Sequence, residues 1–360
     1  MKIVHIITTI ERGGAEKQLL VLASAQVKSG HSVEVIYLKG SPELEQEFIA
    51  AKVKVKSDIA NFPFFLQVLN SRLNLSKNTA DIYHAHLPRA EMFAALTLGK
   101  KKFIFSRHNA EPFFPGANPR FSKWLSRFVT RKAAGGIAIS DAVNLYCRTN
   151  SEIRIDCPFE TIHYGMEIPD RENRIPNKRT RENVPITFGT IARLVPQKDI
   201  PTLLSAMKIH KIKFPEDQLR ILGNGPLKAH LQKLCVDYDL QSNVKWIDKT
   251  ADVDAEYKRL DVFVLTSIYE GFGLVLLEAM KNELPILATN TSAIPEVVGD
   301  GNGLFFQVGN ALDLAKKMED IRKTAMRVEL IKKSYIRLRD FNIEILEEKV
   351  TSTARNWICS

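Results

Sequence analysis

The chain has 360 residues, which is enough for two domains with separate hydrophobic cores. With 45% hydrophobic and 26% charged residues and no run of 18 apolar residues, the composition predicts a globular cytoplasmic protein without a transmembrane helix. The four cysteines form neither a C-x-x-C pair nor a zinc-spaced cluster, and the net charge of +10 makes anionic partners worth considering.

Strand and helix patterns alternate along the first half of the chain, which predicts a parallel, doubly wound α/β sheet. The predicted strands are Lys2–Thr8, Ser32–Tyr37, Asp81–Ala85, Lys102–Ser106, Gly136–Ile139 and Glu160–His163. The predicted helices are Ala15–Ser29, Glu43–Ala51, Pro63–Leu75, Arg89–Leu98, Arg120–Ala134 and Asp141–Thr149.

A polar, proline-containing stretch, Pro169–Pro185, predicts a linker, and a second alternating half follows it. Its predicted strands are Ile186–Ile191, Gln218–Gly223, Val244–Ile247, Val262–Leu265, Pro285–Ala288 and Gly303–Phe306. Its predicted helices are Pro201–Lys213, Leu227–Tyr238, Val253–Arg259, Gly273–Lys281, Ile294–Val298 and Ala311–Arg337. Two such domains bind ligands at the carboxyl ends of their strands, in the cleft between the domains. The last helical pattern, Ile343–Trp357, is expected to pack back across this cleft.

Two carboxylates stand eight residues apart in the segment E-G-F-G-L-V-L-L-E, at Glu270 and Glu278. Eight residues are slightly more than two helical turns, so both side chains would lie on nearly the same side. Gly271 and Gly273 allow close approach of the backbone, and a helix beginning there directs its positive dipole end at a phosphate. Two glutamates on a solvated helix face give the same spacing by chance, but the residues between them are apolar, which favours a buried and functional pair.

Three further motifs follow predicted strands. Arg193 and Lys198 lie in A-R-L-V-P-Q-K-D and offer cations to a diphosphate. A solvated loop that carries two common charged residues would show the same sequence pattern. Gly223 and Asn224 lie in L-G-N-G-P-L, where a nucleotide could cross a tight turn. Gly14 belongs to G-G-A-E, which lacks the dinucleotide fingerprint and is weak evidence alone.

Histidines also follow strands of the first half. His108, in S-R-H-N, would lie at the mouth of the cleft, and we expect it to be functional. His84 and His86 alternate onto one face of a strand; a metal site is conceivable there, but hydrogen-bonded structural histidines are expected. Asp252 precedes a helical pattern, so it is expected to be an N-cap rather than a metal ligand.

Basic residues are concentrated between Arg89 and Ala134, where there are ten Lys and Arg residues and only two acidic ones. Within this segment, F-S-K-W-L-S-R-F-V-T-R-K places basic and apolar residues at helical spacing, which is typical of a helix at an anionic membrane surface. A helix packed on its own domain is a close alternative, and no nucleic-acid-binding signature is present. The predicted membrane or acceptor surface consists of Arg120, Lys123, Trp124, Arg127, Arg131 and Lys132.

Together these motifs resemble the family-4 retaining glycosyltransferases of the GT-B fold, over essentially the whole chain. The supporting segments are Y-E-G-F-G-L-V-L-L-E-A-M, G-G-A-E, S-R-H-N, I-A-I-S, A-R-L-V-P-Q-K-D, L-G-N-G-P-L and I-P-E-V-V. The resemblance implies two Rossmann-like domains facing across a cleft. They would be an acceptor-binding domain at 1–168 and a nucleotide-sugar-binding domain at 169–342, with a returning helix at 343–360.

The resemblance also implies roles for individual residues. Glu270 would contact hydroxyls of the donor sugar, Glu278 would bind the ribose, and Arg193 and Lys198 would neutralise the departing diphosphate. His108 would lie beside the anomeric carbon. The implied donor-binding set is Gly14, Arg193, Lys198, Gly223, Asn224, Glu270, Gly271, Phe272, Gly273, Leu274 and Glu278.

The implied activity is retaining transfer of a hexosyl or N-acetylhexosaminyl group from a UDP- or GDP-linked donor, without a metal or other cofactor. The acceptor would be a glycan or lipid-linked saccharide of bacterial surface polysaccharide synthesis, reached from the cytoplasmic face of the membrane. The alternatives are a non-catalytic GT-B homologue acting as a binding subunit and another GT-B enzyme such as a nucleotide-sugar 2-epimerase. The chain departs from the family pattern at H-Y-G-M-E, where N-G-(I/V)-D is frequent, at Ala192 and at Asp248. The last departure leaves the donor base open.

Overall fold

The computed structural model describes residues 1–77, 79–99, 102–169, 184–248, 250 and 252–359. The chain forms two compact units. Unit 1 contains Met1–Glu167 and the stretch from Phe341 onward, and unit 2 contains Ile168–Asp340. Most of the predicted linker, residues 170–183, lies outside the described residues.

Unit 1 is built on a parallel sheet with strands β1 (Lys2–Ile7), β2 (Ser32–Tyr37), β3 (Lys54–Lys56), β4 (Ile82–His86), β5 (Ile104–Arg107), β6 (Gly135–Ala138) and β7 (Phe159–Thr161). Within the described residues these seven strands have the order β3-β2-β1-β4-β5-β6-β7. The apolar run of β1 is buried on both faces, as expected for a strand paired on both sides, with Ile3 opposite Val33 of β2 and Ile82 of β4. The strand order reverses between β1 and β4, which places a topological switch point there.

The helices that connect these strands are α1 (Gly14–Lys28), α2 (Glu45–Ala50), α3 (Phe64–Lys77), α4 (Pro88–Thr97), α5 (Pro119–Lys132) and α6 (Asp141–Thr149). Side-chain caps begin two of them: Asn118 accepts from the amides of Arg120 and Phe121, and Ser140 accepts from that of Val143. The predicted alternation in this half is confirmed.

Unit 2 has strands β8 (Thr187–Ile191), β9 (Gln218–Leu222), β10 (Val244–Ile247), β11 (Val262–Leu265), β12 (Ile286–Thr289) and β13 (Leu304–Phe306). In the described part of the chain they form a six-stranded parallel sheet with the order β10-β9-β8-β11-β12-β13. Its helices are α7 (Ile200–Lys211), α8 (Lys228–Asp237), α9 (Val253–Arg259), α10 (Leu274–Lys281), α11 (Ile294–Val298), α12 (Ala311–Asp320) and α13 (Thr324–Leu338). Phe188, Leu203 and Ile221 are among the fully buried residues of its core.

The final helix, α14 (Ile343–Cys359), belongs to unit 1. Its buried residues Ile343, Leu346, Val350 and Ala354 recur at helical spacing and join the core cluster of unit 1. At the start of the helix, the amide of Ile343 donates to the carbonyl of Met166 at 3.0 Å. The apolar stripe of α14 therefore completes one face of the first sheet.

The prediction of one helix over Ala311–Arg337 is wrong, because α12 ends at Asp320 and α13 begins at Thr324. The buried guanidinium of Arg327 donates to the carbonyls of Ile321 and Arg322, which satisfies acceptors at the end of α12. No glycine or proline marks this break, so the helical pattern continues through it in the sequence.

Strand β3 was not predicted. Its three residues, Lys54–Lys56, pair with β2 at the edge of the sheet, and both lysines are exposed. A short edge strand carrying lysines has too little apolar character to be recognised from the sequence, and the lysines protect the open edge against further pairing.

Candidate active site

In unit 2, the predicted ligand-binding motifs lie in loops at the carboxyl ends of β8, β9 and β11. Strand β8 lies between the other two, because the connection to β9 runs to one side and that to β11 to the other. In open parallel sheets the crevice for a ligand forms at such a switch point. The motifs that are far apart in the sequence therefore follow adjacent strands.

The centre of this arrangement is an ion pair between Lys198 and Glu270, in which Lys198 Nζ contacts Oε1 of Glu270. The hydroxyl of Ser267 also donates to Oε1, at 2.6 Å. Glu270 is only 7% exposed, so a lone carboxylate there would be costly. Both contacts fall on Oε1.

The backbone around this pair is fixed by polar side chains. Thr266 Oγ1 donates to the carbonyl of Lys198 at 2.7 Å, and Ser292 Oγ donates to the carbonyl of Glu270 at 2.8 Å. Asp199 follows Lys198 in the left-handed region, with φ of 43°. Its carboxylate accepts a hydrogen bond from Thr202 Oγ1 at 2.7 Å. A non-glycine residue in this region is strained, and the local hydrogen bonds hold it there.

The glycine-containing loop after Glu270 leads directly into α10. Gly273 precedes the helix with φ of 91°, a conformation that favours glycine. The side chain of Phe272 is 2% exposed and anchors the loop. Gly271 and Leu274 are partly exposed on either side. The positive dipole end of α10 therefore opens toward this loop, as predicted.

Glu278 lies on α10 and is partly exposed. The hydroxyl of Tyr257 donates to Glu278 Oε2 at 2.8 Å and to the carbonyl of Val275 at 3.3 Å. Tyr257 is fully buried, and burial followed by the Glu278 charge raises its pKa well above the usual value. Tyr257 therefore remains a protonated donor that orients the carboxylate.

The remaining predicted residues of unit 2 lie on the neighbouring loops. Arg193 is exposed and forms no ion pair with any residue that the structure describes. Gly223 packs so closely on the preceding loop that a Cβ there would lie 1.9 Å from the carbonyl oxygen of Ala192. Asn224 is exposed, and its Oδ1 accepts from the amide of Gly225 at 2.7 Å.

Asp252 is an N-cap, as predicted, because its Oδ1 accepts from the amide of Ala255 at 2.9 Å. Its carboxylate is therefore used in starting α9.

In unit 1, Gly14 is the exposed first residue of α1. The carboxylate of Glu16 folds back beside Gly13, where a Cβ would lie 2.2 Å from Oε2, and its Oε1 accepts from Thr9 at 2.7 Å. A carboxylate of the protein therefore lies at this helix N-terminus, where an anion is stabilised. The sequence interpretation missed this role of Glu16.

His108 follows β5 and is partly buried. Its Nδ1 is hydrogen-bonded to the hydroxyl of Tyr164, and its Nε2 is shielded from solvent with no partner among the described residues. Burial, with a smaller contribution from the Arg107 charge, lowers the pKa of His108 to about 3. The ring is therefore neutral at physiological pH.

His84 and His86 are buried, as is His5, and the ring of His86 lies beside that of His108 with centroids 5.5 Å apart. His84 Nε2 bonds Ser106 Oγ at 2.7 Å, and His86 Nε2 bonds His5 Nδ1 at 3.0 Å. Ring nitrogens of these three histidines lie within 4.8 Å of one another, which is close enough for a metal ion. Nε2 of His84, Nε2 of His86 and both ring nitrogens of His5 have hydrogen-bond partners, which agrees with the predicted structural role of His84 and His86. Nδ1 of His86 is buried and has no hydrogen-bond partner among the described residues.

Comparisons with known proteins decide the family. The sequence pattern of the family described as Glycosyl transferases group 1 matches residues 171–337, and that of Glycosyltransferase Family 4 matches residues 12–165. The chain belongs to the group 1, family-4 glycosyltransferases. These enzymes transfer a sugar from a nucleotide sugar with retention of configuration, and the two parallel sheets of this glycosyltransferase are those of the GT-B fold.

Two curated relatives match this glycosyltransferase over nearly the whole length of both proteins. An uncharacterized glycosyltransferase of Haemophilus influenzae is 23% identical over 351 residues, covering 93% of this chain and 95% of the relative. The second is the GalNAc-alpha-(1->4)-GalNAc-alpha-(1->3)-diNAcBac-PP-undecaprenol alpha-1,4-N-acetyl-D-galactosaminyltransferase of Campylobacter jejuni. It is 25% identical over 369 residues, and the match covers 97% of this chain and 97% of the relative.

Among solved structures, Anabaena Alr3699/HepE in complex with UDP-glucose superposes with a TM-score of 0.82 at 19% identity, covering 98% of this chain and 99% of that protein. At this level of identity the similarity establishes the fold.

Helix α5 of this glycosyltransferase has an unusual distribution of residues. It packs through small or polar residues, Ser122, Ser126, Val129 and Thr130, while Phe121 and Trp124 are 55% and 60% exposed. The ring of Trp124 stacks between those of Phe121 and Phe128, with centroids 6.0 and 6.4 Å away. The basic residues Arg120, Arg127, Arg131 and Lys132 are exposed, and Lys123 is half-buried. The helix is thus packed on its own unit, yet its aromatic and basic residues face outward.

Several residues that fix the site in this glycosyltransferase could not be found in the sequence. Ser267, Thr266 and Ser292 hold the Lys198–Glu270 region, and the two tyrosines Tyr257 and Tyr164 hold Glu278 and His108. All are common residues without a spacing signature. The one available signal was at H-Y-G-M-E, where Tyr164 occupies the position at which the family frequently has asparagine.

Proposed function

We propose that this glycosyltransferase binds a UDP-linked hexose or N-acetylhexosamine in unit 2 and transfers the sugar to a saccharide or lipid-linked saccharide acceptor of bacterial surface polysaccharide synthesis. The observation that carries the proposal is the Lys198–Glu270 pair beside the N-terminus of α10. Its cation suits a diphosphate, and its carboxylate, whose contacts with Lys198 and Ser267 fall on Oε1, suits a sugar hydroxyl.

The roles of the residues follow from their chemistry. Lys198 and the exposed Arg193 stabilise the negative charge that develops on the diphosphate as the glycosidic bond breaks. The backbone from Gly271 to Leu274 and the dipole of α10 add to this stabilisation. Glu278, oriented by Tyr257, accepts hydrogen bonds from the ribose hydroxyls. Because the family retains configuration, the acceptor attacks on the face that the diphosphate leaves, and a departing phosphate oxygen accepts the acceptor proton.

His108 and Gly14 of unit 1 are proposed to contact the reacting sugar and the diphosphate or acceptor, respectively. Unit 1 is therefore the proposed acceptor-binding domain, and unit 2 the proposed donor-binding domain. Support for a UDP donor comes from solved relatives of the same fold that bind UDP or UDP-glucose. Support for a lipid-linked acceptor comes from the name of the Campylobacter jejuni relative.

Thermal-shift measurements with UDP, GDP and ADP test the donor base. A ligand that binds only the folded protein adds about 2.7 kcal/mol of stability at a concentration of 100 times its Kd. We expect UDP to raise the melting temperature more than GDP or ADP. Incubation with UDP-glucose, UDP-galactose and the two UDP-N-acetylhexosamines, with product detection, then identifies the sugar. Stabilisation by GDP alone would overturn the UDP proposal.

The outward-facing residues of α5 support a second part of the proposal, which is binding to an anionic membrane surface. Among the described residues no helix is long and apolar enough to span a bilayer, so the protein would reach a lipid-linked acceptor by peripheral binding. Exposed Trp124 would insert at the interface, and the basic residues on either side would contact anionic headgroups.

Co-sedimentation with vesicles of phosphatidylglycerol and phosphatidylcholine tests this part. Each basic residue near the surface contributes about 1 kcal/mol, so Arg127→Ser is expected to weaken binding about fivefold, and Trp124→Ser to do the same. Lys332→Ser on α13 is the matched control, because Lys332 is equally exposed. Binding that ignores both lipid charge and these substitutions would contradict a membrane role.

A further inference from the structure

The ring of His108 is held from one side by Tyr164. The hydroxyl of Tyr164 bonds Nδ1 of His108, and the two ring centroids are 5.9 Å apart. Tyr164 follows β7 and is only 7% exposed. A buried phenol keeps its proton, and burial raises the pKa of Tyr164 well above its usual value. The contact is therefore between a protonated phenol and a neutral imidazole.

The direction of this hydrogen bond sets the position of the single proton on the ring. A neutral histidine carries one N–H and one nitrogen lone pair. The imidazole lone pair is a much stronger base than the phenol oxygen, so the better bond has the Tyr164 O–H donating and Nδ1 accepting. The ring proton of His108 then resides on Nε2.

Nε2 of His108 is shielded from solvent and has no hydrogen-bond partner among the described residues. An unpartnered buried donor costs about 1–3 kcal/mol, so its retention calls for an explanation. His108 lines a cavity of about 20 Å³ together with His84, His86, Ser106 and Tyr164, and the rest of the lining is mainly Leu, Ile and Val side chains of unit 1. Such a volume accommodates about one oxygen-centred group.

We infer that Tyr164 is a positioning residue that locks His108 in the Nε2–H tautomer, so that His108 serves the transfer reaction as a neutral hydrogen-bond donor to an oxygen of the substrate. In this tautomer Nε2 has no lone pair, so His108 does not act there as a general base. The identity of the substrate oxygen rests on the proposed function, whereas the tautomer is a property of the free protein.

Nitrogen-15 NMR of the histidine rings tests the tautomer directly. The signals of His108 are assigned as those lost in His108→Ala. We expect the wild-type protein to show Nδ1 unprotonated and Nε2 protonated at neutral pH, and Tyr164→Phe to move both shifts toward the average of two tautomers. Tyr37→Phe is the control, because Tyr37 is also a buried tyrosine of unit 1 but lies at the end of β2. A proton on Nδ1 in the wild type, or an unchanged spectrum in Tyr164→Phe, would overturn the inference.

Kinetics with the donor identified above test the role as a hydrogen-bond donor. His108→Ala is expected to lower kcat about 100-fold, as for loss of one donor to a developing charge. The side-chain N–H of glutamine lies close to the position of Nε2, so His108→Gln should recover about tenfold over His108→Ala, while His108→Asn should not. Tyr164→Phe is expected to lower kcat about tenfold with little change in donor KM, and to add nothing to His108→Ala.

The two measurements separate the inference from the proposed function. Full activity of His108→Ala would refute the role in sugar transfer that we propose for His108, and with it the role of His108 as a hydrogen-bond donor. The tautomer result would be unaffected. Equal activity of the Gln and Asn variants would refute donation from Nε2 even if His108 is essential.

Discussion

Two charged clusters, one in each unit, pair a basic residue with glutamate at the carboxyl ends of strands and yet differ in character. In unit 1, Arg107 at the end of β5 pairs with Glu91 at 3.0 Å and with Glu152 at 3.2 Å. In unit 2, Lys198 pairs with Glu270 beyond the ends of β8 and β11. Both clusters lie at the carboxyl end of a parallel sheet, where ligands usually bind.

The difference lies in what each cluster leaves available. Arg107 is 5% exposed, bonds Ser126 at 2.9 Å and lies over the ring of Phe113 at 4.3 Å. All of these contacts of the Arg107 guanidinium lie inside unit 1. The Lys198–Glu270 pair instead adjoins the exposed Arg193 and a glycine-containing turn into a helix. Position at the carboxyl end of a sheet therefore does not by itself distinguish a buried structural cluster from one beside an exposed helix N-terminus.

The largest expected effect is on activity. Lys198→Ala removes a cation that stabilises the leaving diphosphate, and transfer should fall about 1,000-fold. Stability should also fall, because the variant leaves the buried carboxylate of Glu270 without its cation, so transfer is compared at a temperature at which both proteins are folded. Product formation and the melting temperature are measured together. Lys213→Ala, which breaks the exposed pair with Glu319, is the control and should retain full activity. Unreduced transfer in Lys198→Ala would remove the proposed site.

At Arg107 the expected effect is on stability. Arg107→Met leaves two buried carboxylates without their cation and should destabilise unit 1 by about 3–5 kcal/mol. Urea unfolding followed by tryptophan fluorescence in a Trp246→Phe background isolates this unit, since the two remaining tryptophans, Trp124 and Trp357, lie in unit 1. Arg154→Ala, which removes an exposed partner of Asp156, provides a control. An Arg107 variant with wild-type stability would show that the two clusters do not differ as described.

Glu91 gives a pH-dependent test of the same cluster. Burial raises its pKa to about 7, against the opposing effect of Arg107. The unfolded carboxyl loses its proton near its ordinary pKa of 4.5, while the folded one keeps it until about 7. Stability is therefore lost as pH rises through this window. Glu91→Gln should reduce that loss by on the order of 2 kcal/mol between about pH 5 and about pH 8. If the free energy of unfolding depends on pH identically in the wild type and in Glu91→Gln, this prediction is wrong.

A smaller effect is expected at Glu278, which binds the ribose rather than the reacting centre. Glu278→Ala should raise the donor KM about tenfold, the value of one or two hydrogen bonds to a charged group, with little change in kcat. Tyr257→Phe should raise KM by only about threefold, because it orients the carboxylate without contacting the ligand. A large fall in kcat in either variant would contradict this division of roles.

The sequence predicted most of the fold because its elements are strongly patterned. The apolar runs of β1 and β8 and the glycines around Glu270 are local signals, and the matching strands and helix starts are present. The break before α13 and the edge strand β3 were missed because a buried arginine and a lysine-flanked strand leave no local mark.

The candidate site was predicted only in part for the same reason. Charged residues such as Lys198 and Glu270 stand out in the chain. Ser267, Tyr257 and Tyr164, which orient the functional groups, become recognisable only when the fold brings them within hydrogen-bond distance.

A crystal structure of the protein in complex with UDP would show directly whether the donor nucleotide binds beside Lys198 and Glu278. We expect the diphosphate within hydrogen-bond distance of Arg193 and Lys198, beside the backbone of Gly273, with the ribose hydroxyls on Glu278. UDP bound elsewhere, or bound here without contact to Lys198 and Glu278, would contradict it.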